Sequence, residues 1–310
     1  SQVQGIVSNR MASLRSGDGL VTGMSAGNGM SMNSGFIQAF GSEAVQKNTK
    51  KGTATVYGFD TNSDGVAIGF DGITSAGGTV GLSASYSTTD VVGKGTGKST
   101  NAIDSYTISA YGDKATDMGY IEGSVTYGIN ENTTKRAVKV AGIDRTYKGL
   151  FDSEQLSVMI GAGAPKELGN GVFVTPFGNL TATMVQTDSY IETSSTASDN
   201  LRLKVSQDDV NSIVGTLGVK ANLVSDRGTP SISLAVNNEF GDTMINSSNQ
   251  YQGGGSIFKT TSEVEALSAT LGLGYAFGND NTSLNIGYEA NATDDDYLSH
   301  YGSVKIVANF

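Results

Sequence analysis

Acidic side chains and one histidine are the residues of this chain that could do chemistry at a catalytic or metal site. His300 stands near the run Asp294–Asp296, where an imidazole could act as a general base. The segment 60–65, Asp-Thr-Asn-Ser-Asp-Gly, has the acidic start of a calcium loop but lacks the glutamate at position twelve and flanking helices. We therefore interpret His300 as a surface residue of an external loop and the acids as solvated. We expect no metal ion, no cofactor and no enzymatic activity.

The composition excludes further kinds of site. The chain of 310 residues has no cysteine, which excludes disulfides, thiolate metal sites and cysteine nucleophiles. Its net charge of −10 argues against the basic face that a nucleic-acid-binding protein needs. Apolar runs near 18 residues are lacking, so no transmembrane helix is predicted. The start Ser-Gln-Val-Gln-Gly has no Met and no signal-peptide pattern, so we expect a mature chain or a fragment.

Alternation of apolar and polar residues predicts β-strands along most of the chain. In residues 282–292, Leu284, Ile286 and Tyr288 lie on one face, whereas Asn, Gly and Glu lie on the other. The same pattern predicts twelve strands, near 34–41, 65–74, 79–91, 102–112, 118–129, 153–164, 172–185, 208–223, 230–241, 264–278, 282–292 and 299–310.

The connections between these strands alternate between short turns and longer loops. The longer loops are expected at 42–64, 92–101, 130–152, 186–207, 242–263 and 293–298. Outer-membrane barrels have short periplasmic turns, longer external loops and an even strand number. The second face of the strands, rich in Gly, Ser and Thr, suits a wet lumen better than a dry core. We predict an all-β membrane protein, a 12-stranded antiparallel up-and-down transmembrane β-barrel with its apolar face toward lipid; a secreted β-sandwich or β-solenoid is the alternative.

The two ends of the chain differ from the middle. The last strand stops on an aromatic residue, and its outward face is expected to carry Gly302, Val304, Ile306, Ala308 and Phe310. Residues 1–15 instead repeat apolar residues at spacings of three and four, which predicts a helix over 3–15 followed by a glycine-rich linker. We therefore divide the chain into 1–32, helix and linker, and 33–310, the barrel. The helical stripe comprises Val3, Ile6, Val7, Arg10, Met11 and Leu14, with Arg15 at its end.

The order of helix, linker, barrel and terminal Phe310 resembles the translocator (β) domain of type V autotransporters of Gram-negative bacteria. Residues 3–15 look like the pore helix of that family, 35–41 like its first strand, and 57–71 like its glycine-rich second strand. A proline at a strand start, in 174–177, also matches, whereas Phe36 stands about where a Trp is usual. The resemblance covers nearly the whole chain.

The resemblance implies a location and a function. The barrel would lie in the bacterial outer membrane, and the strand ending in Phe310 would be read by the barrel assembly machinery, aided by periplasmic chaperones. The domain would secrete and display an N-terminal passenger preceding Ser1, after which the helix would plug the pore of a monomer. Some relatives also cleave the passenger at an Asn-Asn pair in the helix; here Asn9 stands alone, which makes cleavage at Asn9 an unfavoured option.

The expected lumen supports a helix inside the pore. A barrel of twelve strands leaves space for about one helix, whose diameter is roughly 10–12 Å. Arg10 and Arg15 would then need acidic partners. The acids on the predicted inward face are Asp71, Glu122, Glu239 and Glu289, and the sequence leaves open which of them form pairs.

Other functions remain alternatives at this point. A porin-like diffusion channel without a passenger would leave 1–32 as a mobile tail and would conduct. An outer-membrane enzyme or adhesin would use only its loops, but these lack a Ser-His-Asp set. A soluble β-rich adhesin would dissolve without detergent.

Overall fold

The computed structural model describes residues 6–7, 10–11, 33–51, 54–75, 77–95, 97–140, 142–195, 199–279 and 281–310. Most of this part is β-structure, and none of its helical residues belongs to a helix long and apolar enough to span a membrane. Twelve long strands dominate. They are β1 (Asn33–Gln46), β2 (Phe59–Ile73), β3 (Gly78–Gly93), β4 (Thr100–Thr116), β5 (Gly119–Val140), β6 (Ile143–Gly163), β7 (Val172–Thr187), β8 (Val210–Leu223), β9 (Thr229–Glu239), β10 (Leu267–Gly278), β11 (Thr282–Thr293) and β12 (Tyr297–Asn309).

The twelve strands form one closed antiparallel barrel. Each strand pairs with the next along the chain, and β1 pairs with β12 in an unbroken register from Ser34↔Asn309 to Gln46↔Tyr297. A short strand, Lys166–Gly169, extends the turn before β7. All twelve predicted strands overlap observed ones, and the predicted twelve-stranded antiparallel barrel is confirmed.

The apolar side chains of the barrel strands lie on its outer face. Ile68 is 52% exposed, Leu82 is 60% exposed and Phe310 is 73% exposed, and all three alternate with buried or half-buried neighbours. The inner face instead carries hydroxyl groups that bond across strands, as between Ser109 and Thr126 (2.8 Å). A water-soluble barrel would bury its apolar face, so this arrangement requires lipid around the wall. On β12, the outward positions are Gly302, Val304, Ile306, Ala308 and Phe310.

Three details of the sequence interpretation are wrong. Residues 130–152 are no loop, because β5 and β6 pair in register as far as Val140↔Ile143. Here each face mixes polar residues with apolar ones such as Tyr147 and Leu150, which hides the alternation, although the β-branched residues still favour extended backbone. The connections predicted at 42–64 and 293–298 are shorter, 47–58 and 294–296, because the strands that flank them are longer than predicted. His300 lies within β12 and not in a loop, and its Nδ1 is 2.6 Å from the Tyr288 hydroxyl.

The external end of the barrel is uneven. From β5 to β10 the wall continues beyond the apolar band, first as the β5–β6 hairpin (130–152) and then as a four-stranded outer sheet. We call this side the tall side. Elsewhere the external connections are short: β11 and β12 are joined by 294–296, and β3 and β4, beside the tall side, by 94–99. A small hairpin, Thr49–Lys51 with Ala54–Val56, joins β1 and β2. The outer sheet consists of Tyr190–Ile191, Leu203–Gln207, Met244–Tyr251 and Phe258–Glu263.

Candidate functional site

Four described residues of the N-terminal segment are buried against inward-facing side chains of the barrel wall. Ile6, Val7, Arg10 and Met11 have helical backbone and are almost completely buried. They lie three and four positions apart, which places them on one face of a helix. Their neighbours are inward-facing side chains from five strands, Phe36, Phe40, Ala67, Tyr111, Met159 and Val307.

Arg10 is held by a buried carboxylate. Its Nε and Nη2 donate to the two oxygens of Asp71, at 2.6 Å each, in a bidentate pair. Nη2 also donates to the Ser34 hydroxyl at 2.7 Å, and Ser34 in turn donates to Asp71. The Tyr111 hydroxyl donates to Asp71 at 2.9 Å. Two parallel charge-assisted bonds at buried positions give this contact both strength and a fixed orientation.

The sheet register explains how these groups meet. Asp71 is paired with Ser34 on β1 and with Gly81 on β3, and Gly81 is paired with Tyr111 on β4. A Cβ added at Gly81 would come within 2.3 Å of the Tyr111 ring. The missing side chain therefore lets Tyr111 lean across β3 and reach the carboxylate two strands away.

Inward glycines on β2 serve the same purpose for two phenylalanines. A Cβ at Gly69 would lie 2.4 Å from the Phe36 ring, and one at Gly65 would lie 2.3 Å from the Phe40 ring. Both rings consequently lie flat against the wall. The Arg10 guanidinium is 5.4 Å from the centre of the Phe36 ring, within range of a cation–π interaction. The glycines thus leave room for the two rings, one of which contacts Arg10.

The other predicted acids lie elsewhere on the inward face. Glu122 is paired in register with Asp113, and Glu289 with Tyr301. Glu239 lies at the external end of β9, where it accepts bonds from the Ser212 hydroxyl and from backbone N–H groups. Of the four acids, Asp71 is thus one that the structure brings into an ion pair with Arg10. Val3, Asn9, Leu14 and Arg15 lie outside the described residues.

Sequence reasoning missed two residues of the lining. Lys305 is buried and lies on β12 opposite Gln38, whose side-chain amide donates to the Tyr301 hydroxyl at 3.1 Å. Both belong to inward positions. The signal was available, because the positions between Val304, Ile306 and Ala308 must face the lumen if those residues face lipid.

A second buried polar cluster lies outside the membrane, on the tall side. Arg136 of β5 donates to both oxygens of Glu192, at 2.8 and 2.6 Å. Tyr147 of β6, which is fully buried, donates to Asp199, and Arg145 forms an ion pair with the same carboxylate at 2.6 Å. These contacts attach the segment 188–209 to the β5–β6 hairpin.

The attachment at Asp199 should depend on pH. Burial alone would raise the pKa of the Asp199 carboxyl, but the Leu201 N–H, Arg145 and Tyr147 together hold this pKa below the ordinary 3.8. A carboxylate with a lowered pKa stabilises the folded form above its unfolded pKa, and the effect is lost as the pH falls through the folded value. Amide hydrogen exchange of 188–209 should therefore stay slow from pH 7 to pH 5 and rise below 3.8.

The matched variants for this test are both in the same loop. Asp199→Asn should raise exchange of 188–209 several-fold already at pH 7, because it removes the charge that Arg145 faces. Asp208→Asn, at an exposed position, should leave the exchange unchanged. Equal exchange in Asp199→Asn and the unmodified protein would show that the loop is held by other contacts.

The comparisons with known proteins agree on one family. A family model described as the autotransporter beta-domain matches residues 35–289. The translocator domain of the autotransporter NalP from Neisseria meningitidis has a TM-score of 0.71 at 17% identity, covering 99% of this chain and 98% of that one. The beta domain of the Bordetella autotransporter BrkA has a TM-score of 0.66 at 16% identity, covering 90% of this chain and all of that one.

Longer relatives exist as well. Outer membrane protein A of Rickettsia conorii is 26% identical over 276 residues, which are 84% of this chain. The protein of the same name from Rickettsia rickettsii is 25% identical over a stretch of equal length. The matched region spans only 13% and 12% of the lengths of these two curated relatives.

Proposed function

The chain belongs to the autotransporter beta-domain family and is a β-barrel of the bacterial outer membrane, and from this we propose that it is the translocator for an N-terminal passenger, with residues 3–15 closing the pore after secretion. The carrying observation is the burial of Ile6, Val7, Arg10 and Met11 among inward-facing residues of the barrel. Secretion through the lumen would leave behind a segment that precedes β1 and lies against the inner face of the wall.

The Arg10–Asp71 pair supports a plug in a fixed position. A buried arginine without a partner carries a large desolvation cost, whereas a bidentate carboxylate offsets that cost at one depth and one rotation of the helix. Ser34 and Tyr111 complete the seat from β1 and β4. A mobile tail, as in the porin-like alternative, would not form this fixed set of contacts.

Three further features belong to the proposal. The curated relatives are about eight times as long as the matched region, which leaves ample length for a passenger. The outward face of β12, ending in Phe310, suits recognition by the barrel assembly machinery and its periplasmic chaperones. We propose a monomer without enzymatic turnover or cofactor, in which folding of the passenger supplies the free energy for export.

Surface display tests the proposal. A reporter domain with a signal peptide is placed before Ser1 and expressed in a Gram-negative host. Protease added to intact cells should digest the reporter, while the same reporter without 33–310 should be protected in the periplasm. Removing Phe310 should reduce the amount of barrel inserted in the outer membrane without preventing refolding in detergent. A reporter that stays protected from protease, although its barrel is correctly inserted, would contradict passenger export.

A further inference from the structure

The outward face of the β5–β6 hairpin carries two lysines directly opposite each other. Lys135 and Lys148 are paired in register, and both are exposed. Like charges at opposed positions of an antiparallel pair destabilise it. In the described part of the chain neither lysine takes part in an ion pair, so the hairpin itself does not neutralise them.

The other cations of this hairpin have partners. Arg136 binds Glu192, and Arg145 binds Asp199, both on the face that continues the lumen. Lys139 lies 3.6 Å from Asp144 at the tip. Lys98 in the neighbouring turn 94–99 is a further exposed cation close by, since Gly97 of that turn packs against the Ala137 carbonyl. The lysine pair is therefore the main positive charge on the outward side of the hairpin, four positions beyond the opposed acids Glu131 and Asp152 of the same face, in a protein whose net charge is −10.

The register fixes the direction of this charge. β5 and β6 pair without a break from Tyr120↔Gly163 to Val140↔Ile143, so Lys135 has the same orientation as Ile121 and Val125, and Lys148 the same as Ile160. Those apolar residues face lipid. The two ammonium groups consequently point sideways, over the surrounding membrane, and away from the pore axis.

The height of these lysines above the hydrocarbon core limits which kind of lipid can reach them. From Ile129, the last large apolar residue on the outward face of β5, to Lys135 the strand advances six residues, roughly 20 Å at ~3.3 Å per residue, or roughly 15 Å in height at a tilt of about 40°. The headgroup layer of a phospholipid leaflet is only about 5–8 Å thick. A phospholipid is therefore too short to reach Lys135, whereas a lipid with a saccharide headgroup reaches this height.

We propose that Lys135 and Lys148 bind phosphate groups on the saccharide of the outer-leaflet glycolipid beside the barrel. The lysines provide the charge, and the height selects a long headgroup. Their sideways orientation favours a partner anchored in the same membrane over a soluble one. The inference depends on the outer-membrane location and not on passenger export.

Binding of fluorescent rough lipopolysaccharide to the full chain in detergent micelles tests this assignment. A lysine near an anionic lipid surface contributes about a fivefold affinity factor, so Lys135→Gln with Lys148→Gln should weaken binding by about 30-fold at low salt. Lys139→Gln is the matched control, because that lysine already has Asp144, and it should change affinity little. Heat-modifiable migration on gels shows that each variant is folded.

Two further ligands identify the partner. Dephosphorylated lipopolysaccharide should bind the unmodified protein as weakly as the double variant binds the native glycolipid, and anionic phospholipid should show no dependence on the two lysines. Equal affinity of the double variant and the unmodified protein for the native glycolipid would overturn the proposal. Lysine-dependent binding of soluble heparin without lysine-dependent glycolipid binding would also overturn it, in favour of a soluble polyanion.

Discussion

Removal of residues 1–32 is expected to convert a nearly closed barrel into an open pore. A lumen of twelve strands accommodates about one helix, so emptying it should raise the single-channel conductance in planar bilayers by about tenfold or more. The described residues Ile6, Val7, Arg10 and Met11 occupy space against five strands that the truncated chain would leave to water and ions. The measurement compares 1–310 with 33–310 after refolding in the same detergent.

The same recordings separate the two functions considered for the barrel. If both chains conduct equally, residues 1–32 lie outside the pore, and the porin-like function replaces the plugged translocator. A closed truncation would instead mean that the strands and loops alone block the lumen. Differences in the barrel wall cannot explain the result, because both chains share the whole of 33–310.

Replacing Asp71 with Asn is expected to unseat the plug without dismantling the barrel. Breaking a buried ion pair by removing one partner costs about 3–5 kcal/mol, because the other charge stays buried without compensation. The cost falls on the contact between Arg10 and the wall, since the twelve strands keep all their backbone pairing. We expect frequent opening in planar bilayers, where the unmodified full chain stays closed.

Two control variants make this prediction specific. Asp64→Asn lies on the same strand but on the exposed outward face, and it should leave the pore closed. Arg10→Met combined with Asp71→Asn removes both charges and should restore much of the closure, because replacing both partners of a buried pair is often close to neutral. Frequent opening in the double variant equal to that of Asp71→Asn would assign the effect to Asp71 and its wall partners alone.

The sequence predicts the barrel well, because lipid outside and water inside impose the simplest of patterns. Every strand must alternate, so Leu284 and Ile286 reveal their element without any knowledge of their neighbours. The β5–β6 hairpin escapes prediction for the same reason. Beyond the hydrocarbon core neither face meets acyl chains, so adjacent positions such as Lys135 and Arg136, on opposite faces, are both polar and the alternation disappears.

The lumen site is only half predictable. The inward orientation of Asp71 follows from strand parity, and the need of Arg10 for an acid follows from its burial. The choice among four inward acids depends on the depth and rotation of the N-terminal residues, which no local pattern encodes. The role of Gly81 is equally hidden, because its value lies in the room it leaves for Tyr111 two strands from Asp71.

The unequal height of the external wall makes the barrel asymmetric at the cell surface, with one side taller than the other. From β5 to β10 the wall rises as paired strands and an outer sheet, whereas β11 and β12 end at the three-residue turn 294–296. The external opening is therefore least enclosed beside the β11–β12 turn, and under the proposed function an exported passenger would leave the barrel in that direction. A barrel that turns in the plane of the membrane would turn that direction with it.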